Sequence, residues 1–184
     1  MRFLPTPLAG ATIVELEARH DERGFFARTW CAREFVAAGL PGDLVQCAMS
    51  FNRRKGTLRG MHFQRPPSRE SKLVRCAVGR IYDAIIDLRA DSLTLGHYFG
   101  LELDAQSRRA LYVPPGFAHG FQTLEDDTEV LYQMTDFHEP ELAAGVRWSD
   151  PAFGIPWPFA RPVMAARDDS YEDFEPARHA RRWS

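Results

Sequence analysis

Two short runs concentrate the chemistry of this chain. They are Gly56-Thr57-Leu58-Arg59-Gly60-Met61-His62-Phe63-Gln64 and Pro114-Pro115-Gly116-Phe117-Ala118-His119-Gly120-Phe121, each setting one histidine beside an aromatic with basic residues close by. An imidazole has an unperturbed pKa of about 6.5, so it takes and releases protons near neutral pH. A small barrel lined by these runs would hold an anionic ligand next to such a base. The residue types point to proton-transfer chemistry.

The elements that must position these runs are short. Alternating or apolar segments recur between turn signals at 12–16, 44–50, 73–78, 81–88, 97–103, 110–113, 120–124 and 130–135, and each predicts a β-strand. The pattern predicts an all-β sandwich or barrel, with jelly roll and up-and-down barrel left open by periodicity. Gly79-Arg80, with glycine first, predicts a two-residue type II′ hairpin between neighbouring strands. One helix is expected over 32–38, closed by Gly39 and followed by Pro41. From Phe159 onward the strand pattern fades into a polar, charged tail that reads as a docked arm or a partly disordered end.

A chain of 184 residues fits a single domain spanning 1–184 and buries roughly 70% of its unfolded surface. The formal net charge of −2 excludes a general nucleic-acid binder, which needs clustered excess basic charge. No apolar stretch approaches the roughly 20 residues that span a bilayer, and Pro5 interrupts the start too early for a signal segment. The expectation is a cytoplasmic protein without a membrane partner. Cys31, Cys47 and Cys76 lack Cys-x-x-Cys spacing and are expected to be buried, reduced thiols.

Read in order, the chain also carries Asp21-Glu22-Arg23-Gly24-Phe25-Phe26, Lys72-Leu73-Val74-Arg75, Tyr82-Asp83 with Asp87-Leu88-Arg89, Leu131-Tyr132 and Trp148-Ser149-Asp150-Pro151. Together with the two histidine runs, their joint order and spacing resemble the dTDP-4-dehydrorhamnose 3,5-epimerase family from about residue 11 to 168. The resemblance implies a cupin-type jelly roll with a few short helices, a homodimer, and a nucleoside-diphosphate 4-keto-6-deoxysugar substrate. It implies neither metal nor organic cofactor. His62 matches the catalytic base and Asp168 the carboxylate paired with it, while Lys72 matches the enolate-stabilising lysine and Tyr132 the proton donor. Arg23, Arg59 and His119 match residues that grip diphosphate or sugar, and Phe26 and Gln46 fall in the same substrate-binding set. Phe137 or His138 stands where an aromatic would stack on the base, and Arg167 where the family has a lysine. For the dimer, segment 11–16 is the expected donor of an extra strand across the interface.

These residue types suit epimerisation beside a ketone. A proton must leave one face, the enolate must be stabilised, and a proton must return to the other face. A carboxylate-oriented imidazole serves as the remover, an ammonium supplies the oxyanion term, and a phenol with a reference pKa near 10 keeps a proton to deliver. Arg59 and His62 differ in strand parity, so a regular strand would point them apart. Gly60 between them is where a bulge would bring both into one cavity.

The departures from the family fall on nucleotide-facing positions. Gln46-Cys47-Ala48 stands where Gln-Asp-Asn is usual, Arg28 and Ala143 replace glutamates, and Ala165 replaces a serine. Weaker selectivity for thymidine, or another base, is the expectation. Within the enzyme class the alternative is a 3-only epimerase acting on a non-thymidine sugar. A metal-dependent cupin oxygenase would require a second histidine where Gln64 stands. A non-enzymatic sugar-nucleotide binding protein would have no use for a base, an oxyanion cation and an opposed acid together.

Overall fold

The computed structural model describes residues 1–183. Its elements are β1 (Arg2–Pro5), β2 (Thr12–Glu15), β3 (Arg19–Asp21), β4 (Gly24–Phe26), α1 (Ala32–Ala37), β5 (Gln46–Asn52), β6 (Leu58–Gln64), β7 (Lys72–Val78) and β8 (Arg80–Asp87). There follow β9 (Tyr98–Asp104), β10 (Ala110–Val113), β11 (Phe117–Thr123), β12 (Thr128–Met134), β13 (Ala143–Gly145), α2 (Ala166–Asp169) and α3 (Pro176–His179). Antiparallel pairing builds a six-stranded sheet, β1-β2-β10-β7-β12-β5, and a five-stranded sheet, β13-β6-β11-β8-β9. Among the described residues, β3 and β4 form a separate two-stranded hairpin.

Alternation along each strand decides what lies between the sheets. Val74, Cys76, Leu111 and Val130 of the first sheet meet Ile81, Ile85, Leu103, Phe117 and Phe121 of the second in one buried cluster. The intervening residues of the second sheet, Met61, Phe63, Ala84, Ile86 and Ala118, face the other way. They are covered by Phe153, Trp157, Phe174 and Trp183 from the C-terminal part of the chain. The result is a jelly-roll sandwich, the first of the two predicted architectures. Among the described residues no helix is long and apolar enough to cross a membrane.

Several expectations change. Gly79 has a φ of +77°, as a turn glycine should, but β7 and β8 belong to different sheets and do not pair. The turn is a corner that hands the chain from one sheet to the other. A Cβ on Gly79 would lie 2.5 Å from Thr128 Oγ1, so the corner admits no side chain. Segment 11–16 is not a free donor strand, because β2 is hydrogen-bonded between β1 and β10 of its own chain. Of the three thiols only Cys76 is buried, while Cys47 is exposed and Cys31 is intermediate. The tail from 159 is a docked arm: Gln122 bonds both the N–H and the carbonyl of Phe159, and Asp168 and His179 are buried.

Candidate active site

The site begins with a strand irregularity. In the β6–β11 pair, His62 lies opposite His119 and Arg59 opposite Phe121, so β6 spends one more residue than β11 over the same interval. Gly60 and Gly120 make this possible by approaching backbone to backbone; a Cβ on Gly60 would sit 2.6 Å from the Gly120 Cα. His119 and Phe121 share the inward face, and their partners across the ladder must share it too. The bulge expected at Gly60 is thus present, and it turns Arg59 and His62 to the same side.

Asp168 reaches His62 from the short helix α2. Its Oδ1 lies 2.8 Å from His62 Nε2, and its Oδ2 accepts the Gly60 N–H at 3.2 Å. Burial pushes the Asp168 carboxyl upward, but the bonds from His62 and Gly60 outweigh it and hold the group below the usual carboxylate range. An ionised carboxylate only accepts, so Nε2 carries the proton and Nδ1 keeps the lone pair. Tyr171 packs edge-on against the imidazole, with centroids 5.9 Å apart. Gly145, opposite His62 in β13, leaves room for that ring.

His62 opens on a cleft of about 190 Å³ lined also by Gln64, Glu70, Lys72, His138, Ala143 and Arg167. Two cations, Lys72 and Arg167, stand in this lining with one carboxylate, Glu70. Lys72 begins β7 and pairs with the Glu70 carboxylate. Gln46 fixes the segment carrying His138 by accepting that residue's N–H at 2.6 Å. His138 rather than Phe137 lines the cleft, and the Phe137 side chain is solvent-exposed. Arg167 donates to Tyr171 Oη at 3.1 Å.

Across the sandwich, Tyr132 of β12 sets its ring against His119, with centroids 6.3 Å apart. Burial raises its phenol above the ordinary tyrosine range, a hydroxyl bond with Ser50 works against this, and the Asp83 charge adds to the rise. Tyr132 therefore holds a proton at neutral pH. His119 is itself fixed by Asp83, whose Oδ2 lies 2.9 Å from Nε2, and burial pushes the Asp83 carboxyl upward against the pull of His119. Arg59 bonds Asn52 Oδ1 at 2.7 Å and lies close enough to Tyr132 to favour its ionised form.

The structure brings together His62, Asp168, Lys72, His138 and Arg167, while Tyr132, His119 and Arg59 form a second group, joined to the first through the His62–His119 pairing across β6 and β11. Arg23 and Phe26 are not brought to this site within one chain. They sit on the detached β3-β4 hairpin, where among the described residues Arg23 bonds only Asp21 and Phe26 is 75% exposed. Sequence reasoning missed Glu70 and the role of Gln64. Gln64 uses its carboxamide on Ser68, Glu70 and the Phe137 carbonyl, and accepts the Glu139 N–H.

The sequence pattern of dTDP-4-dehydrorhamnose 3,5-epimerases matches residues 5–176. The chain belongs to this family. The Salmonella typhimurium dTDP-4-dehydrorhamnose 3,5-epimerase is 39% identical over 170 residues, covering 91% of this chain and 92% of its own length. The Methanothermobacter thermautotrophicus enzyme of the same description is 44% identical, covering 85% and 84%. A dTDP-4-dehydrorhamnose 3-epimerase of Streptomyces niveus is 36% identical, covering 91% and 81%. Among solved structures, the Elizabethkingia anophelis 3,5-epimerase superposes with a TM-score of 0.93 at 33% identity, covering 97% and 98%. The Bacillus anthracis 3,5-epimerase, solved with TDP and PPi bound, gives 0.91 at 35% identity, covering 94% and 99%. The epimerase described here has their cupin-type fold, and it inverts carbon centres of a nucleoside-diphosphate 4-keto-6-deoxysugar at C3 and/or C5.

Proposed function

We propose that this epimerase acts on a dTDP-linked 4-keto-6-deoxysugar, with His62 as base, Lys72 as oxyanion stabiliser and Tyr132 as acid. The carrying observation is the His62–Asp168 pair opening on a cleft that also contains Lys72 and Arg167. Nδ1 of His62 removes the proton beside the ketone, and Asp168 stabilises the imidazolium that forms. The Lys72 ammonium meets the charge developing on the C4 oxygen. Tyr132, from the opposing sheet, returns a proton to the other face. Arg59, His119 and Arg167 supply donors for the diphosphate and sugar, while Gln46 and His138 border the nucleotide end. No metal or organic cofactor has a step in this scheme. The reading carries a cytoplasmic location with it.

A homodimer completes the reading. Met49, Phe51 and Leu131 leave an exposed apolar face on β5 and β12, beside a cavity of about 490 Å³ lined by Cys47, Met49, Leu131 and Arg75. Burial pulls Arg75 down to about 10, and its recorded bonds go to carbonyls of Arg108 and Thr29. Covering such a patch with a second copy removes apolar surface from water. The β3-β4 hairpin then delivers Arg23 and Phe26 to the partner's site.

The test is incubation with a dTDP-linked 4-keto-6-deoxysugar in deuterated water, followed by NMR. Deuterium should enter at C3, C5 or both, with inversion at the exchanged carbon. Absence of exchange at both carbons would overturn the proposal.

A further inference from the structure

We propose that Glu70 is a positioning residue for the oxyanion step: its carboxylate, held by Gln64, takes one donor of the Lys72 ammonium and aims the remaining two at the substrate. The inference rests on Lys72 as the oxyanion stabiliser. Ser71 between them is locked on three sides, since its N–H donates to Thr135 Oγ1 at 2.9 Å, its carbonyl accepts the Thr135 N–H at 3.1 Å, and its hydroxyl accepts from Tyr112 at 2.8 Å. In extended chain, the residues flanking a fixed one project to the same side. Glu70 and Lys72 therefore meet beside His62, with side chains only 6% and 18% exposed.

The two carboxylate oxygens are committed differently. Oε1 accepts from Lys72, and Oε2 accepts from Gln64 Nε2 at 3.3 Å. Gln64 is anchored in turn by the Phe137 carbonyl at 3.0 Å and the Glu139 N–H at 2.8 Å. The lysine head thus hangs from a bracket that joins the end of β6 to the segment carrying His138. A lysine ammonium has three donors on a flexible stem. Held at one donor, it presents the other two in a fixed direction. A carboxylate charge next to a forming enolate opposes it, so Glu70 contributes aim rather than field.

That distinction sets the experiment, run by NMR in deuterated water on folded, full-length variants with kcat, KM and exchange rate all measured. Glu70→Ala should lower kcat and exchange by about tenfold to a hundredfold, the range expected when a catalytic group is misplaced by about 1 Å, with KM nearly unchanged. Glu70→Gln keeps the acceptor for Lys72 but turns its NH2 onto the Gln64 donor, so it should lose less than Glu70→Ala without reaching wild type, whereas Glu70→Asp keeps the charge but shortens the tether and should fall further. In a Lys72→Ala background, Glu70→Ala should cost nothing more, because the two act through one group. Glu70→Asp outperforming Glu70→Gln would overturn the inference, as would losses that multiply in the double variant. Wild-type exchange in Lys72→Ala would remove the oxyanion reading itself. Slow exchange in Lys72→Ala with normal exchange in every Glu70 variant would remove only the role given to Glu70.

Discussion

Replacing Asp168 by asparagine should damage catalysis more than replacing it by alanine, although asparagine is nearly isosteric. The structure fixes the direction. Gly60 N–H points at one oxygen of Asp168 and His62 Nε2 lies against the other. A carboxamide must turn its oxygen to Gly60, which leaves its NH2 facing Nε2. Nε2 then has to accept, the ring proton moves to Nδ1, and the nitrogen that should remove the substrate proton is occupied. The same substitution in a serine-protease triad, acting through the wrong tautomer, lowers kcat by about 10⁴, and we expect a loss of about 10³ to 10⁴ in Asp168→Asn. Alanine leaves Nε2 free to bond water, so either tautomer forms. Its loss is then one charge-assisted hydrogen bond, about 1.5–3 kcal/mol or roughly tenfold to a hundredfold. The assay is deuterium exchange into the substrate under single-turnover conditions, which reads proton removal followed by deuteron return to the same face and so does not depend on the opposed acid. An Asp168→Asn enzyme that exchanges faster than Asp168→Ala would refute the tautomer assignment.

Other outcomes follow from the same geometry. Activity should survive exhaustive chelation, because the Gln64 carboxamide is committed to protein groups; a loss restored by one divalent metal would contradict this. Light scattering at micromolar concentration should give a dimer, and a monomer would count against the covered face. Mixing inactive Arg23→Ala and His62→Ala chains should restore about a quarter of the sites if each hairpin serves its partner, and none if it serves its own chain. Ala48 and Ala143 offer the base no side-chain hydrogen bonds, so a panel of TDP-, CDP-, GDP- and UDP-linked substrates should show modest discrimination. Preference for the TDP substrate by roughly a thousandfold over every other would contradict that expectation.

The parts of this site legible in the sequence are those governed by local rules. Strand parity required something unusual between Arg59 and His62, and Gly60 is where a bulge was affordable. The Gly79 corner shows the limit: the local signal for a hairpin and for a handover between sheets is the same, and only the partners of β7 and β8, distant in sequence, distinguish them. Segment 11–16 reads correctly as a strand but lies inside the sheet, a matter of which edges pair. Cys47 is apolar by type, yet on the edge strand β5 its parity sets it beside Met49 on the outer face. The strands β3, β4 and β13 are three residues long, too short for alternation to register. Asp168 sits in a polar tail, and its burial depends on α2 packing against β6, which no local pattern announces.

The central claim is that proton removal and proton return belong to different residues on opposite sheets. It is tested most directly by comparing His62→Ala with Tyr132→Phe in deuterated water, reading exchange and inversion separately by NMR. His62→Ala should lose both, since no enolate forms. Tyr132→Phe should keep exchange, because His62 returns a deuteron to the face it came from, while inversion falls by about a hundredfold to ten-thousandfold. Normal inversion in Tyr132→Phe, or wild-type exchange in His62→Ala, would contradict the account.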